Sequence, residues 1–136
     1  MSPDWKHRLR AYLAFKPFPF NKLKTEEKIS YEVNSAMIQL MLDGTYRGVF
    51  LHVPNEGRRG HVTSAVLKAI GFKAGAPDWV FIWHNGAGVI ELKAPGKYLE
   101  PNQKEFKFWC DTMGVSHAVC RSWVEVFATL AAWGAL

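Results

Sequence analysis

Gly75-Ala76-Pro77-Asp78 and, thirteen residues after Asp78, Glu91-Leu92-Lys93 set two carboxylates and one amine where neighbouring strands are expected. Two acids sharing a hard cation, with an ammonium group beside them, are the minimum apparatus for hydrolysing a phosphodiester. Whether the three side chains meet depends on the chain between them. Trp79-Val80-Phe81-Ile82-Trp83-His84 and Ala87-Gly88-Val89-Ile90-Glu91-Leu92-Lys93 are rich in β-branched and aromatic residues. Between them stands Asn85-Gly86, the dipeptide best suited to a two-residue type I′ turn. That turn predicts the pairs His84–Ala87, Ile82–Val89, Val80–Glu91 and Asp78–Lys93. Strand side chains alternate, so Asp78, Glu91 and Lys93 project from one face. Asp78 is then across from Lys93 and diagonal to Glu91, roughly 7–8 Å apart between backbones. A turn built on Gly86-Ala87-Gly88 would instead slip the register and separate the acids.

The plainer interpretation of the trio is a surface strand with a Glu and a Lys after a Pro-Asp turn. Its neighbours argue against that. Ile90 and Leu92 point the other way, while Val80, Ile82 and Val89 share the acids' face, so the hairpin is expected to be covered on both sides. Charges on such a strand are costly unless paired or metal-bound. Pro-Asp followed by Glu-x-Lys is nevertheless a loose pattern by itself, and the rest of the chain has to supply the context.

With 136 residues the chain suits one domain with a proper core. Apolar content of 49% and charged content of 21% exclude an intrinsically disordered composition. The apolar runs are short and Met1-Ser2-Pro3-Asp4 opens no signal peptide, so the chain reads as soluble and unexported. Cys110 and Cys120 form neither a C-x-x-C pair nor a zinc set, and are expected to be reduced core thiols. Seventeen basic against twelve acidic residues give a formal charge of +5, which favours a polyanionic partner such as nucleic acid.

The elements that must position the trio can be read in order. Ser2-Pro3-Asp4 starts a helix striped by Trp5, Leu9, Tyr12 and Leu13, and Pro17 and Pro19 end it. Trp5 and Phe15-Lys16-Pro17-Phe18-Pro19-Phe20 make a basic and aromatic arm that could stack on DNA, pack on the domain or meet another subunit; packing is favoured. Thr25-Glu26-Glu27 opens a second helix running to about Leu42, with Ile29, Val33, Ala36, Met37, Leu40 and Met41 on its apolar face. Glu32 falls at the rim of that face, where a Glu is either solvated or turned toward the hairpin. Val49–Val53 reads as a strand, Val62–Ile70 as a short helix closed by Gly71, and Pro101–Met113 as a helix before Gly114. Val115–Cys120 is a further strand, and Ser122-x-x-Glu125 caps a last helix. The order α-α-β-α-β-β-α-β-α predicts an α/β fold: a mixed sheet with helices on both faces, the hairpin flanked by the first and last strands.

Taken together the chain resembles the VRR-NUC (virus-type replication-repair nuclease) family of the PD-(D/E)xK nuclease superfamily. The resemblance rests on Glu32 in a helix, His52-Val53-Pro54-Asn55-Glu56-Gly57, Gly71-x-x-x-Gly75-x-Pro77-Asp78, Ile90-Glu91-Leu92-Lys93-Ala94-Pro95-Gly96 and Gln103. It covers roughly residues 28–134, and the domain is placed at 25–136, with the first 24 residues an added basic and aromatic arm. It implies a restriction-endonuclease-like core in which Asp78, Glu91 and the carbonyl of Leu92 bind Mg²⁺ or Mn²⁺. Glu32 would complete the acidic cluster, directly or through water. Lys93 would orient or activate the attacking water, and Gln103 would support the site from its helix. Asn55 and Glu56 would position Glu32 or touch the phosphate. Oxygen ligands favour such hard ions over zinc. His52 and His84 are read as core or rim residues.

Candidate phosphate contacts are Arg58, Arg59, Lys68, Lys73, Lys97 and Lys104, with Lys73 and Lys97 first because their loops flank the acids. The resemblance further implies a homodimer that resolves branched DNA, including Holliday junctions, in the cytoplasm of a bacterium or phage-infected cell. The last helix or the aromatic arm would supply the interface. The alternatives are a monomeric nuclease nicking flap or duplex DNA, and a DNA-binding module without cleavage.

Overall fold

A computed structural model of the chain describes residues 3–54 and 61–136. The elements run α1 (Trp5–Leu13), a 3₁₀ turn (Phe20–Lys22), α2 (Thr25–Leu42), β1 (Gly48–His52), α3 (His61–Ala69), β2 (Trp79–Trp83), β3 (Gly86–Leu92), α4 (Pro101–Met113), β4 (Ser116–Cys120) and α5 (Trp123–Ala132). The sheet order is β1-β2-β3-β4, antiparallel from β1 to β3, with β4 parallel to β3. This is the order of elements and the flanked hairpin predicted from the sequence. Among the described residues no helix is long and apolar enough to cross a membrane.

Alternation along the strands creates a single core face. Trp79, Phe81, Ile90 and Leu92 are buried on it, against Ile29, Val33 and Met37 of α2 and Val126 and Leu130 of α5. Each such side chain contributes about 1.5–3 kcal/mol when fully buried. α4 lies over the other face, where the Phe106 ring is 6.5 Å from that of His117 on β4. Helices therefore cover both faces, as expected. Local chemistry fixes where they begin: Glu27 accepts a hydrogen bond from the Lys24 N–H at 2.8 Å ahead of α2, and Ser122 accepts from Glu125 N–H ahead of α5. Cys110 and Cys120 are free and buried, and burial pushes both thiols above their ordinary pKa.

The hairpin departs from the predicted register. Trp83 pairs with Gly86, Ile82 with Ala87, Val80 with Val89 and Trp79 with Ile90, so His84-Asn85 form the turn and Gly86 already belongs to β3. No non-glycine residue has a positive φ, and Gly86 itself is absent from the positive-φ glycines among the described residues, so the turn is not type I′. The glycine serves a different purpose: a Cβ at Gly86 would come within 2.8 Å of the buried Trp83 indole. Registers two residues apart leave every side chain on its face. Asp78, Glu91 and Lys93 still share one, but Asp78 now falls opposite Glu91, one step beyond the Trp79–Ile90 pair.

The acids' face is not covered along its whole length, contrary to expectation, because Val49, Leu51 and Ile82 are each close to half exposed; α4 reaches only the β3–β4 side. The aromatic arm packs on the domain, Phe15 and Phe20 meeting the Tyr31 ring edge-on at 6.0 and 5.9 Å. The hairpin geometry predicts that Gly86→Ala destabilises by about 1–3 kcal/mol through overpacking, while Asn85→Ala stays within about 0.5 kcal/mol. Denaturant titration of the two variants decides the turn type; a costly Asn85→Ala with a silent Gly86→Ala would restore the type I′ turn.

Candidate metal and phosphodiester site

Three elements converge where β2 begins and β3 ends. Asp78 enters β2 from a loop in which Gly75, at φ +82°, lies so close to α4 that a Cβ would meet the Asn102 backbone at 2.4 Å. Its carbonyl accepts from Val53 N–H at 2.6 Å, and its Oδ2 accepts from Leu92 N–H at 2.7 Å. N–H and C=O of one strand residue point to the same neighbour, so the Leu92 carbonyl is turned toward Asp78 as well. From α4, Gln103 does double duty. Its Oε1 accepts from Glu100 N–H at 2.8 Å in a capping box, and its Nε2 donates to Glu91 Oε1 at 2.8 Å. Lys93 is held by its own N–H, which donates to the Cys120 carbonyl at 3.0 Å.

The electrostatics of this corner are severe. Glu91 is 4% exposed and Lys93 8%. Burial, then the neighbouring Asp78 carboxylate, push Glu91 up to about 8, with Lys93 pulling the other way. Asp78 is raised too, chiefly by burial, against the Leu92 hydrogen bond that lowers it. Each of the two carboxyls perturbs the other. Glu91 Oε2 is buried with no partner. A buried carboxylate oxygen without a donor, beside a second carboxyl, fits a cation. Among the described residues no group of three or more His, Cys, Asp or Glu side chains could hold an ion by itself. The donors on offer would be two carboxylates and a carbonyl, a set that would suit Mg²⁺ or Mn²⁺, which bind through one or two carboxylates and keep water and phosphate ligands. Asp78 and Leu92 line a cavity of about 290 Å³ with Glu26, Ser30 and His52. A second, of about 500 Å³, is lined by Lys93, Lys97, Tyr98, Lys24 and again Glu26.

Two carboxylates of α2, Glu26 and Glu27, line both cavities, and Glu27 is engaged with the Lys24 N–H. Glu32 is exposed and lines neither cavity. The helix period explains it: Glu26 lies seven residues before buried Val33 and shares its stripe, whereas Glu32, adjacent to Val33, is turned about 100° away. Glu26 Oε1 also accepts from Ala94 N–H at 3.2 Å, tying the first turn of α2 to the end of β3. Spacing from Val33 could have revealed this.

Among the described residues, Lys97 is the basic candidate that lines a cavity with a member of the trio, and it is exposed. Lys73 lines a separate cavity with Phe106 and Trp109 of α4. Lys68 and Lys104 are exposed on α3 and α4. Arg58, Arg59, Asn55 and Glu56 lie outside the described residues. Sequence reasoning missed Lys24, which the capping box before α2 places at the Lys93 cavity. It also missed Arg121, which has no motif signal at all.

No family model matches the sequence, and no curated protein matches it. A solved structure named VRR_NUC domain protein superposes with a TM-score of 0.61 at 23% identity, over 81% of this chain and 88% of that one. The chain therefore has the VRR-NUC fold, in agreement with the resemblance read from its motifs.

The raised Glu91 pKa has a measurable consequence. In metal-free protein the folded state holds a proton that the unfolded state, with its ordinary pKa of 4.5, has lost. Stability is then fullest below about 4.5 and falls as pH rises toward about 8. Glu91→Gln removes the titrating group, so its metal-free melting temperature at pH 8 is predicted to exceed that of the unsubstituted protein. Melting curves from pH 5 to 8 in EDTA check this; an equal decline in both proteins would refute the assignment.

Proposed function

We propose that this chain is a Mg²⁺- or Mn²⁺-dependent endodeoxyribonuclease of the VRR-NUC family. The observation that carries the reading is Glu91: buried, facing Asp78, with one oxygen lacking any donor. Asp78, Glu91 and the Leu92 carbonyl would hold the cation, with Glu26 near enough to act through water. The chemistry a divalent cation would supply there is Lewis-acid polarisation of the scissile phosphate and a lowered pKa for a bound water. The rest falls to the chain's own groups. Gln103 fixes the rotamer of Glu91 by its 2.8 Å bond, and Lys93 offers a nearly buried ammonium to the charge that develops on the phosphate. Lys24 and Lys97 supply positive charge at the mouth.

The DNA substrate in this reading is branched, cut as by a Holliday-junction-resolving homodimer, with a monomeric flap or duplex nickase as the alternative. The charge of +5 supports a polyanionic substrate. For pairing of copies, the arm is engaged with Tyr31, and Val124 and Phe127 are the large apolar side chains of α5 left exposed.

Cleavage of a four-way junction, a flap and a linear duplex in Mg²⁺, Mn²⁺ and EDTA tests the reading. Cutting is expected with either metal and none with EDTA; no cutting of any substrate in Mn²⁺ would sink it. Lys93→Ala is predicted to lose about 10²–10³-fold in rate with DNA affinity retained, read by anisotropy. Asp78→Asn should weaken Mn²⁺ binding by calorimetry. Glu26→Gln should slow cutting by about tenfold or more, whereas Glu32→Gln should cut like the unsubstituted protein. The reverse order for those two would return the role to Glu32.

A further inference from the structure

We infer that Arg121 is a positioning residue for DNA binding, clamping the turn that presents Lys97 beside the buried trio. The inference rests on the nuclease reading above. Residues 94–97 form a tight turn closed by Lys97 N–H donating to the Ala94 carbonyl at 3.1 Å. Pro95 and Gly96, the latter at φ +79°, take the two central places that a type II turn demands. The turn is exposed from Pro95 to Tyr98, and its own closing bond is all that a free loop of this length would have.

Arg121 changes that. Its Nη1 donates to the Ala94 carbonyl at 2.9 Å and the Lys97 carbonyl at 2.6 Å, the two ends of the turn. Its guanidinium carbon lies 5.8 Å from the Tyr98 ring centre, closing a third side. Arg121 is itself anchored, since it directly follows Cys120 at the end of β4 and its backbone N–H donates to Glu125 in the first turn of α5. Across the turn, Glu26 holds Ala94 N–H while Arg121 holds its carbonyl. Lys97 and Lys93 line one cavity, so a fixed Lys97 backbone keeps the exposed Lys97 side chain tethered at the mouth of that cavity. Both bonds come from Nη1 while the planar guanidinium lies beside the Tyr98 ring, and a lysine ammonium, which has no planar face, reproduces that arrangement only in part.

The test reads phosphate neutralisation directly, because removing one lysine–phosphate pair lowers the slope of log affinity against log salt by about 0.9. Anisotropy of the full-length protein on a four-way junction, in Ca²⁺ and from 50 to 200 mM salt, is measured for the unsubstituted chain and its variants. Lys97→Ala and Arg121→Gln are each expected to lower the slope by about 0.9 relative to the unsubstituted chain. The double variant should bind no more weakly than either single one, and Arg121→Lys should recover part of the slope. A merely structural role would lower affinity without changing the slope. An unchanged slope in either single variant, or additive losses in the double variant, overturns the inference. Should Arg121→Gln not fold by circular dichroism, the partial slope of Arg121→Lys and its non-additivity with Lys97→Ala decide instead. An unsubstituted protein that binds no DNA overturns the nuclease reading and this inference with it.

Discussion

Two carboxyl groups, Asp78 and Glu91, are confined against one another at the end of a hairpin and largely withdrawn from water. Everything else at this corner answers that confinement. The Leu92 N–H and the Gln103 amide each satisfy one oxygen, and Lys93 stabilises the ionised form of Glu91. These partners do not suffice. Glu91 remains raised to about 8 because burial and Asp78 outweigh Lys93, and its second oxygen is left without a donor. In the absence of a divalent cation, a proton takes part of that role. Such a corner is stable only when something positive enters it.

The fold supplies the confinement through ordinary means. One face of the sheet is packed by α2 and α5, so the acids, on the other face at the strand ends, contribute nothing to the core. Two helices begin at the site. Glu26 is in the first turn of α2 and Gln103 in the first turn of α4. Each presents the positive end of its dipole toward a cluster of acids, an arrangement that lowers the cost of holding them together. Gln103 serves both ends of this construction, since one side chain caps α4 and orients Glu91. Gly75 joins the same helix to the loop ahead of Asp78 through a backbone approach that no side chain would allow.

Much of this is legible in the residues because it rests on period and punctuation. Alternation puts Asp78, Glu91 and Lys93 on one face, and caps and breakers at Ser122, Gly114 and Gly71 set the order of elements. The features that escape depend on tertiary contacts. In sequence Gly86 reads as a turn residue, whereas the Trp83 indole requires its missing side chain. The family resemblance points to Glu32 rather than Glu26, although the period of Val33 favours Glu26. Arg121 carries no signal because its partners are backbone carbonyls 24 and 27 residues away, and carbonyls are the same in every sequence.

The observed register strengthens the chemistry of the site. With Asp78 opposite Lys93, the ammonium would have competed directly for Asp78, and the two carboxylates would have shared an ion only across the diagonal, at roughly 7–8 Å between backbones. The observed register sets Asp78 against Glu91, where directly opposed side chains approach to about 4.5–5.5 Å at Cβ. Like charges are thereby forced together, and the ammonium is displaced along β3, beyond the acids. That is the order the proposed hydrolysis would require: paired anions to hold a metal, and a cation to the side, free to meet the charge that would grow on a phosphate.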